Sequence, residues 1–298
     1  MSSDVVGRPI VAGVDGSDSA RHAALWAADE AVRRRVPLRL VFVAHMPMPG
    51  YPGGVGLSMD FVAGLRDEGR RLLTELRSAV LDGRPELDLD TVVLTGPPIP
   101  TLIAASEPAR LMVLGSRGLG GFTGMLIGST AVALAAHGHC PVAVVRGEDQ
   151  PPSSGPVVVG VDGSPASETA VAVAFEEASL RGAELVAVHT WNDYASDGSF
   201  AAAHAFIADW GVIETREAEK LAERLAGWQE KYPDVTVRRV VTRDRPVRCL
   251  LQEAADAQLL VVGSRGRGGF TGMLLGSTSQ ALVCHAPCPV LVARPTTT

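Results

Sequence analysis

The sequence predicts an α/β protein made of two tandem, doubly wound domains, each a five-stranded parallel sheet flanked by helices. Three observations predict it. Short aliphatic runs alternate with helical patterns along the 298 residues, as expected of strands buried on both faces and joined by helical crossovers. The pattern then occurs twice. Gly13-Val14-Asp15-Gly16-Ser17 returns as Gly160-Val161-Asp162-Gly163-Ser164, and residues 115–130 return as 263–278, identical except at Leu119/Arg267 and Ile127/Leu275. Cys140-Pro141-Val142 returns as Cys288-Pro289-Val290. The offset is 147 at the first motif and 148 at the other two, which is the size of a domain and excludes a solenoid of short repeats. Last, residues 146–156 are rich in Pro, Ser and Gly and read as a linker, which places the domains at 1–150 and 151–298.

The elements follow in order. In copy one the strands are Ile10–Asp15, Leu38–Ala44, Thr91–Thr95, Leu111–Leu114 and Val142–Val145, and the helices cover about 18–35, 58–81, 99–107 and 128–138. In copy two the strands are Val157–Asp162, Leu185–His189, Val235–Val241, Leu259–Val262 and Val290–Ala293, with helices over about 166–181, 203–231, 246–256 and 276–286. Ser17 and Ser164 stand where an N-cap is wanted for the first helix of each copy. After the second strand the copies diverge: Pro/Gly-rich residues 46–57 in one, Trp191, Asp193 and their neighbours (190–205) in the other. Such a segment reads as a variable surface loop or as a lid.

Composition excludes whole classes. With 46% apolar, 20% charged and 5% aromatic residues, the chain is globular with an aliphatic core, neither disordered nor fibrous. The net charge of −6, from 27 basic and 33 acidic residues, argues against a nucleic-acid surface. Cys140, Cys249, Cys284 and Cys288 make no disulfide framework in a chain of this length. Residues 119–145 and 268–293 lack charge and are long enough to span a bilayer. Gly, Ser, Thr, His and Cys-Pro interrupt both, so each reads as loop, helix and strand in succession. The first residues carry Asp4 and only a short apolar run, which does not read as a secretory signal. A cytoplasmic protein is the expectation.

Chemistry concentrates in the repeated glycine motifs. In open α/β sheets ligands bind beyond the carboxyl ends of the strands. Gly13-Val14-Asp15 and Gly160-Val161-Asp162 close the first strands, and Gly115-Ser116-Arg117-Gly118 and Gly263-Ser264-Arg265-Gly266 follow the fourth. Each fourth strand leads through a glycine-rich loop into a helix beginning at Gly128-Ser129 or Gly276-Ser277. Loop amides and the free amides of a helix start form an anion site. Glycine is expected there for positive φ and for close approach of phosphate to the backbone. Ser129 and Ser277 would add hydroxyl donors, and Arg117, Arg265 and Arg267 would neutralise charge. The spacing, Gly-x2-Gly-x9-Gly-Ser, is neither a Walker A loop, which needs Lys, nor a dinucleotide fingerprint. Asp193, just past a second strand, reads either as a ribose acceptor or as a turn residue. Asp15 and Asp162 likewise admit a plain turn role, since Asp-Gly is a turn dipeptide. His137/Cys140 and His285/Cys288 read as helix end and core packing, too few for zinc. The tryptophans read as core or contact residues.

This ordered set, present twice over nearly the whole chain, resembles the universal stress protein family in its tandem, ATP-binding, mycobacterial form. The resemblance implies the strand order 3-2-1-4-5, which sets strands one and four side by side. It implies ATP, with or without Mg2+, one per copy in that crevice. Gly13, Asp15, Gly160 and Asp162 would lie near ribose and phosphates. Gly115, Ser116, Arg117, Gly118, Leu119, Gly120 and Gly121, with Gly263, Ser264, Arg265, Gly266, Arg267, Gly268 and Gly269, would hold ribose and phosphate. Ser129 and Thr130, and Ser277, Thr278 and Ser279, would cap the triphosphate. Val41 and Val188 would border adenine. The implied function is regulatory, with nucleotide occupancy a signal in stress or growth control, domains pairing at their last strands so that the two copies pack together and the chain forms a homodimer, and no nucleic-acid or membrane partner. An ATPase or phosphoryl- or adenylyl-transferring enzyme is the alternative. No committed general base or phosphate-binding Lys is visible, so any hydrolysis is expected to be slow.

Overall fold

The computed structural model describes residues 7–45, 59–118, 127–146, 154–191, 210–267 and 275–294. The chain forms two compact units that divide at residue 150. In the first, β1 (Ile10–Val14), β2 (Leu38–Ala44), β3 (Leu89–Thr95), β4 (Leu111–Gly115) and β5 (Val142–Val145) alternate with α1 (Asp18–Arg34), α2 (Met59–Leu81), α3 (Pro98–Ala105) and α4 (Ser129–His137). The strands pair in parallel in the order β3-β2-β1-β4-β5, with Gly13 opposite Val41 on one side and Leu114 on the other. In the second unit β6 (Val157–Gly160), β7 (Leu185–Thr190), β8 (Val237–Thr242), β9 (Leu259–Gly263) and β10 (Val290–Ala293) alternate with α5 (Pro165–Arg181), α6 (Trp210–Lys231), α7 (Pro246–Glu253) and α8 (Ser277–His285). Their order, β8-β7-β6-β9-β10, is the same 3-2-1-4-5.

Apolar runs explain the central strands. Every residue of β1, β5 and β10 is buried, because helices cover both faces of a parallel sheet. β3 and β8 are different: each is half exposed and carries Asp90 or Arg238 and Arg239. The expected strand at Thr91–Thr95 therefore starts two residues earlier, at Leu89, where it pairs with Leu38. The strand expected at Val235–Val241 runs instead from Val237 to Thr242.

Helix ends are set by local chemistry. The Ser17 hydroxyl accepts from the Ala20 amide at the start of α1, and the Ser164 hydroxyl accepts from the Ser167 amide at the start of α5, both at 3.2 Å. Pro98, Pro165 and Pro246 open α3, α5 and α7, where no amide donor is needed. The first helices end left-handed, at Gly182 in unit two and at Arg35 (φ 53°) in unit one. Both first helices bury an acid: Glu30 accepts from Arg33 and Arg34, and Glu177 faces Arg181 at 3.1 Å.

Candidate functional site

In each unit the first strand ends in a turn whose aspartate folds back on itself. Asp15 Oδ1 accepts from the Ser17 amide (3.0 Å) and hydroxyl (2.7 Å). Asp162 Oδ1 accepts from the Ser164 amide (2.9 Å), and its Oδ2 accepts from the Arg267 amide of the glycine-rich loop (3.0 Å). The capping serines reach the same loops: Ser17 donates to the Arg117 carbonyl and Ser164 to the Arg265 carbonyl. Strand tip, helix start and glycine loop are thus one hydrogen-bonded assembly, and in the second unit the Asp162 carboxylate holds both the turn and the loop.

This geometry corrects the expected reason for the loop glycines. Among the described residues, Gly115, Gly118, Gly128, Gly263, Gly266 and Gly276 do not have positive φ. Close approach instead requires Gly115, Gly118, Gly263 and Gly266. A Cβ on Gly118 would collide with Asp15 Oδ2, and one on Gly266 would stand 2.5 Å from Asp162 Oδ2. A Cβ on Gly115 would stand 2.7 Å from the Ser19 backbone, and one on Gly263 2.8 Å from that of Ala166. Positive φ belongs to Gly16 and Gly163 in the first turns.

The loop is closed at its neck. The Gly128 amide donates to the Ser116 carbonyl at 2.7 Å, and Gly276 does the same to Ser264 at 2.8 Å. Ser116 and Ser264 are buried beneath the loops, and Ser279 is buried with its hydroxyl donating to the Gly263 carbonyl. Ser129 and Ser277 are exposed at the helix starts, with Thr130 and Thr278 beside them half exposed. Gly128 and Gly276 occupy the N-cap positions and supply no side chain, so among the described residues no side-chain cap covers the first amides of α4 and α8. Leu119, Gly120, Gly121, Asp193, Gly268 and Gly269, and the divergent segments 46–57 and 192–205, lie outside the described residues.

In the first unit these parts surround a cavity of about 390 Å³. Its β2 side is apolar, from Val41, Val43, Pro98 and Leu102, while its β4 side carries Arg117, Gly118, Ser129 and Thr130. Gly13 and Asp15 form the ridge between them. A small apolar chamber ending in convergent donors is the usual form of a small-molecule site. Val41, expected beside adenine, lines this cavity. Pro98 and Leu102 were not singled out in the sequence, although their first-turn spacing on a proline-opened helix was the available signal. In the second unit Gly160 packs against Leu250, and Val188 is buried opposite it in the register.

The remaining candidates serve packing. Cys140 and Cys288 are buried after the helices that end at His137 and His285. Burial pushes the Cys288 thiol up to about 12. Among the described residues no group of three His, Cys, Asp or Glu side chains is placed to hold a metal. Trp228 stacks with Phe175 at 6.2 Å, and Trp191 stacks with Trp210 at 6.0 Å under the Arg243 guanidinium. Among the described residues no helix is long and apolar enough to cross a membrane.

Comparison with known proteins agrees with this architecture. The model of the universal stress protein family matches residues 7–146 and again 154–294. Universal stress protein Rv2005c of Mycobacterium tuberculosis is 43% identical, over 96% of this chain and 96% of its own. Universal stress protein Rv2623 of the same organism is 41% identical, over 99% of each chain. A universal stress protein from Archaeoglobus fulgidus shares the fold, with a TM-score of 0.70 at 20% identity over 99% of each chain. Two family matches in one chain, each on a 3-2-1-4-5 sheet, mean that the protein belongs to the universal stress protein family and carries its domain twice in tandem.

Proposed function

We propose that the chain is an ATP-binding regulatory protein whose nucleotide occupancy acts as the signal in stress or growth control. One observation carries the reading: the cavity of about 390 Å³ in the first unit joins an apolar wall to a helix start without a side-chain cap. A purine fits the wall formed by Val41, Pro98 and Leu102. The phosphates fit the amides of Gly118, Ser129 and Thr130, where the helix dipole favours negative charge. Arg117 adds a cation. Mg2+ would ride on the phosphates. Binding would bridge the glycine loop to the strand tips and bias the protein toward one partner-competent form. The lysines of the whole chain are Lys220 and Lys231, both on α6, so no lysine stands at the unit-one cavity to stabilise a leaving phosphate. Turnover is expected to be slow.

The test begins with protein purified without added nucleotide. Heat-released small molecules, measured by mass spectrometry, should include an adenine nucleotide, and calorimetry should show ATP binding that weakens in Asp15→Ala and Asp162→Ala. Intact ATP after hours with Mg2+ supports the regulatory reading; steady release of ADP, AMP or pyrophosphate replaces it with an enzyme. Absence of any adenine compound together with no thermal shift in millimolar ATP removes it. Homodimerisation belongs to the same proposal, and light scattering with and without ATP measures it.

A further inference from the structure

The second unit holds a feature on the flank of its first turn that the first unit lacks. Gly163, at φ 75°, has no side chain over the turn, and two guanidiniums converge on the space that one would take. Arg224 of α6 has Nη2 2.5 Å from the point where a Gly163 Cβ would stand, and Arg267 Nη2 lies against the same point. The two cations are therefore no more than ~5 Å apart, a spacing at which like charges repel unless an anion sits between them. Glu168 pairs with Arg224. Asp162 spends its two oxygens on the Ser164 and Arg267 amides. Among the described residues the Arg267 guanidinium has no carboxylate partner.

The matching positions of unit one show that the fold does not need this arrangement. At the repeat offsets, Arg224 corresponds to Leu76, which is buried, and Arg267 to Leu119, while Glu168 corresponds to Arg21. The fold tolerates two leucines where the second unit has two arginines. We propose that Arg224 and Arg267, over the Gly163 turn, form an anion subsite specific to the second unit, and that it takes a phosphate group. Planar guanidiniums offer paired donors that match phosphate oxygens. The phosphate is either free in solution or the outermost phosphate of a nucleotide held in the adjacent crevice. The subsite itself stands without the nucleotide reading.

The experiment titrates inorganic phosphate, ATP, ADP and AMP into the full chain at low salt, by calorimetry and by 31P NMR, for the parent, Arg224→Leu, Arg224→Gln and Glu168→Gln proteins. If free phosphate is the ligand, Arg224→Leu weakens inorganic phosphate about tenfold, and Glu168→Gln, which removes the competing acid, tightens it. If a nucleotide supplies the phosphate, Arg224→Leu weakens ATP but not AMP. A merely structural Arg224–Glu168 pair would give the opposite sign for Glu168→Gln. Unchanged affinity for every probe in Arg224→Gln, with the parental melting temperature, overturns the proposal, as does failure of the parent to bind any phosphate compound. Loss of ATP binding with phosphate binding kept would remove the nucleotide reading and leave the subsite.

Discussion

The two copies of the domain solve the same packing problem differently at one point between the second strand and the second helix. In copy one the Phe42 ring lies against α2 so closely that a Cβ on Gly69 would stand 2.5 Å from it. At the matching positions copy two has His189 and Glu217, whose side chains meet at 3.0 Å, with the other imidazole nitrogen 2.7 Å from the Val161 carbonyl. An aromatic–glycine contact and a hydrogen-bonded polar pair thus fill equivalent space. The backbone specifies the volume, and the side chains specify how that volume responds to its surroundings. Burial raises the pKa of the Glu217 carboxyl, but hydrogen bonds from Lys220 and His189 outweigh it and hold the group below the usual carboxylate range.

The sharpest way to break the symmetry is through the buried acids. Glu30 has two arginines, whereas the residue matching Arg33 in copy two is Leu180. Arg181→Leu should cost about 3–5 kcal/mol by removing the cation that faces buried Glu177 at 3.1 Å. Arg34→Leu, with Arg33 retained, should cost only ~1–2 kcal/mol. Urea denaturation of each variant checks the ordering.

Next come the loop glycines. Gly118→Val and Gly266→Val should each cost about 1–3 kcal/mol, because the new side chain must displace the Asp15 or Asp162 carboxylate. The nucleotide content of the purified protein should fall in both. Thermal melts and mass spectrometry measure the two effects together.

A smaller effect tests the exchange of contacts. Gly69→Glu alone should destabilise copy one by roughly 2 kcal/mol, since the carboxylate would meet an aromatic ring. Adding Phe42→His should recover ~1 kcal/mol of this, read as the coupling in a double-mutant cycle. In copy two the pH dependence carries the sign. Because the folded pKa of Glu217 lies below its unfolded value, its contribution is whole at neutral pH and is lost as pH falls through that lowered value. Glu217→Gln should flatten stability against pH in that acidic window, measured by chemical denaturation at stepped pH.

The smallest change is a gain. Arg35 ends α1 in the left-handed conformation that Gly182 adopts without strain in copy two. Arg35→Gly should raise stability by ~1 kcal/mol or less, visible as a small rise in Tm.

Much of the architecture was legible because duplication wrote it twice. Strands such as Val142–Val145 announce themselves as unbroken apolar runs. β3 and β8 do so less, because half-exposed outer strands mix charge with aliphatic residues, and their ends are fixed by pairing with β2 and β7. At the candidate site the positions of the glycines were readable and their reason was not. Nothing local to Gly118 says that a carboxylate from the first strand occupies its missing side chain's space. Arg224 was invisible for a related cause: it sits on a distant helix, and only the folded chain brings it over Gly163.

The bond from the Gly128 amide to the Ser116 carbonyl makes the intervening excursion begin and end at a single spot. Its two stems are clamped at this bond, the first also by β5 through the Ser116 amide. Extra or missing residues inside such an excursion cost little closure entropy and exert no pull on strand or helix. A protease cut within it would leave both severed ends fastened, and the nicked domain would migrate as one particle until a denaturant released the pieces.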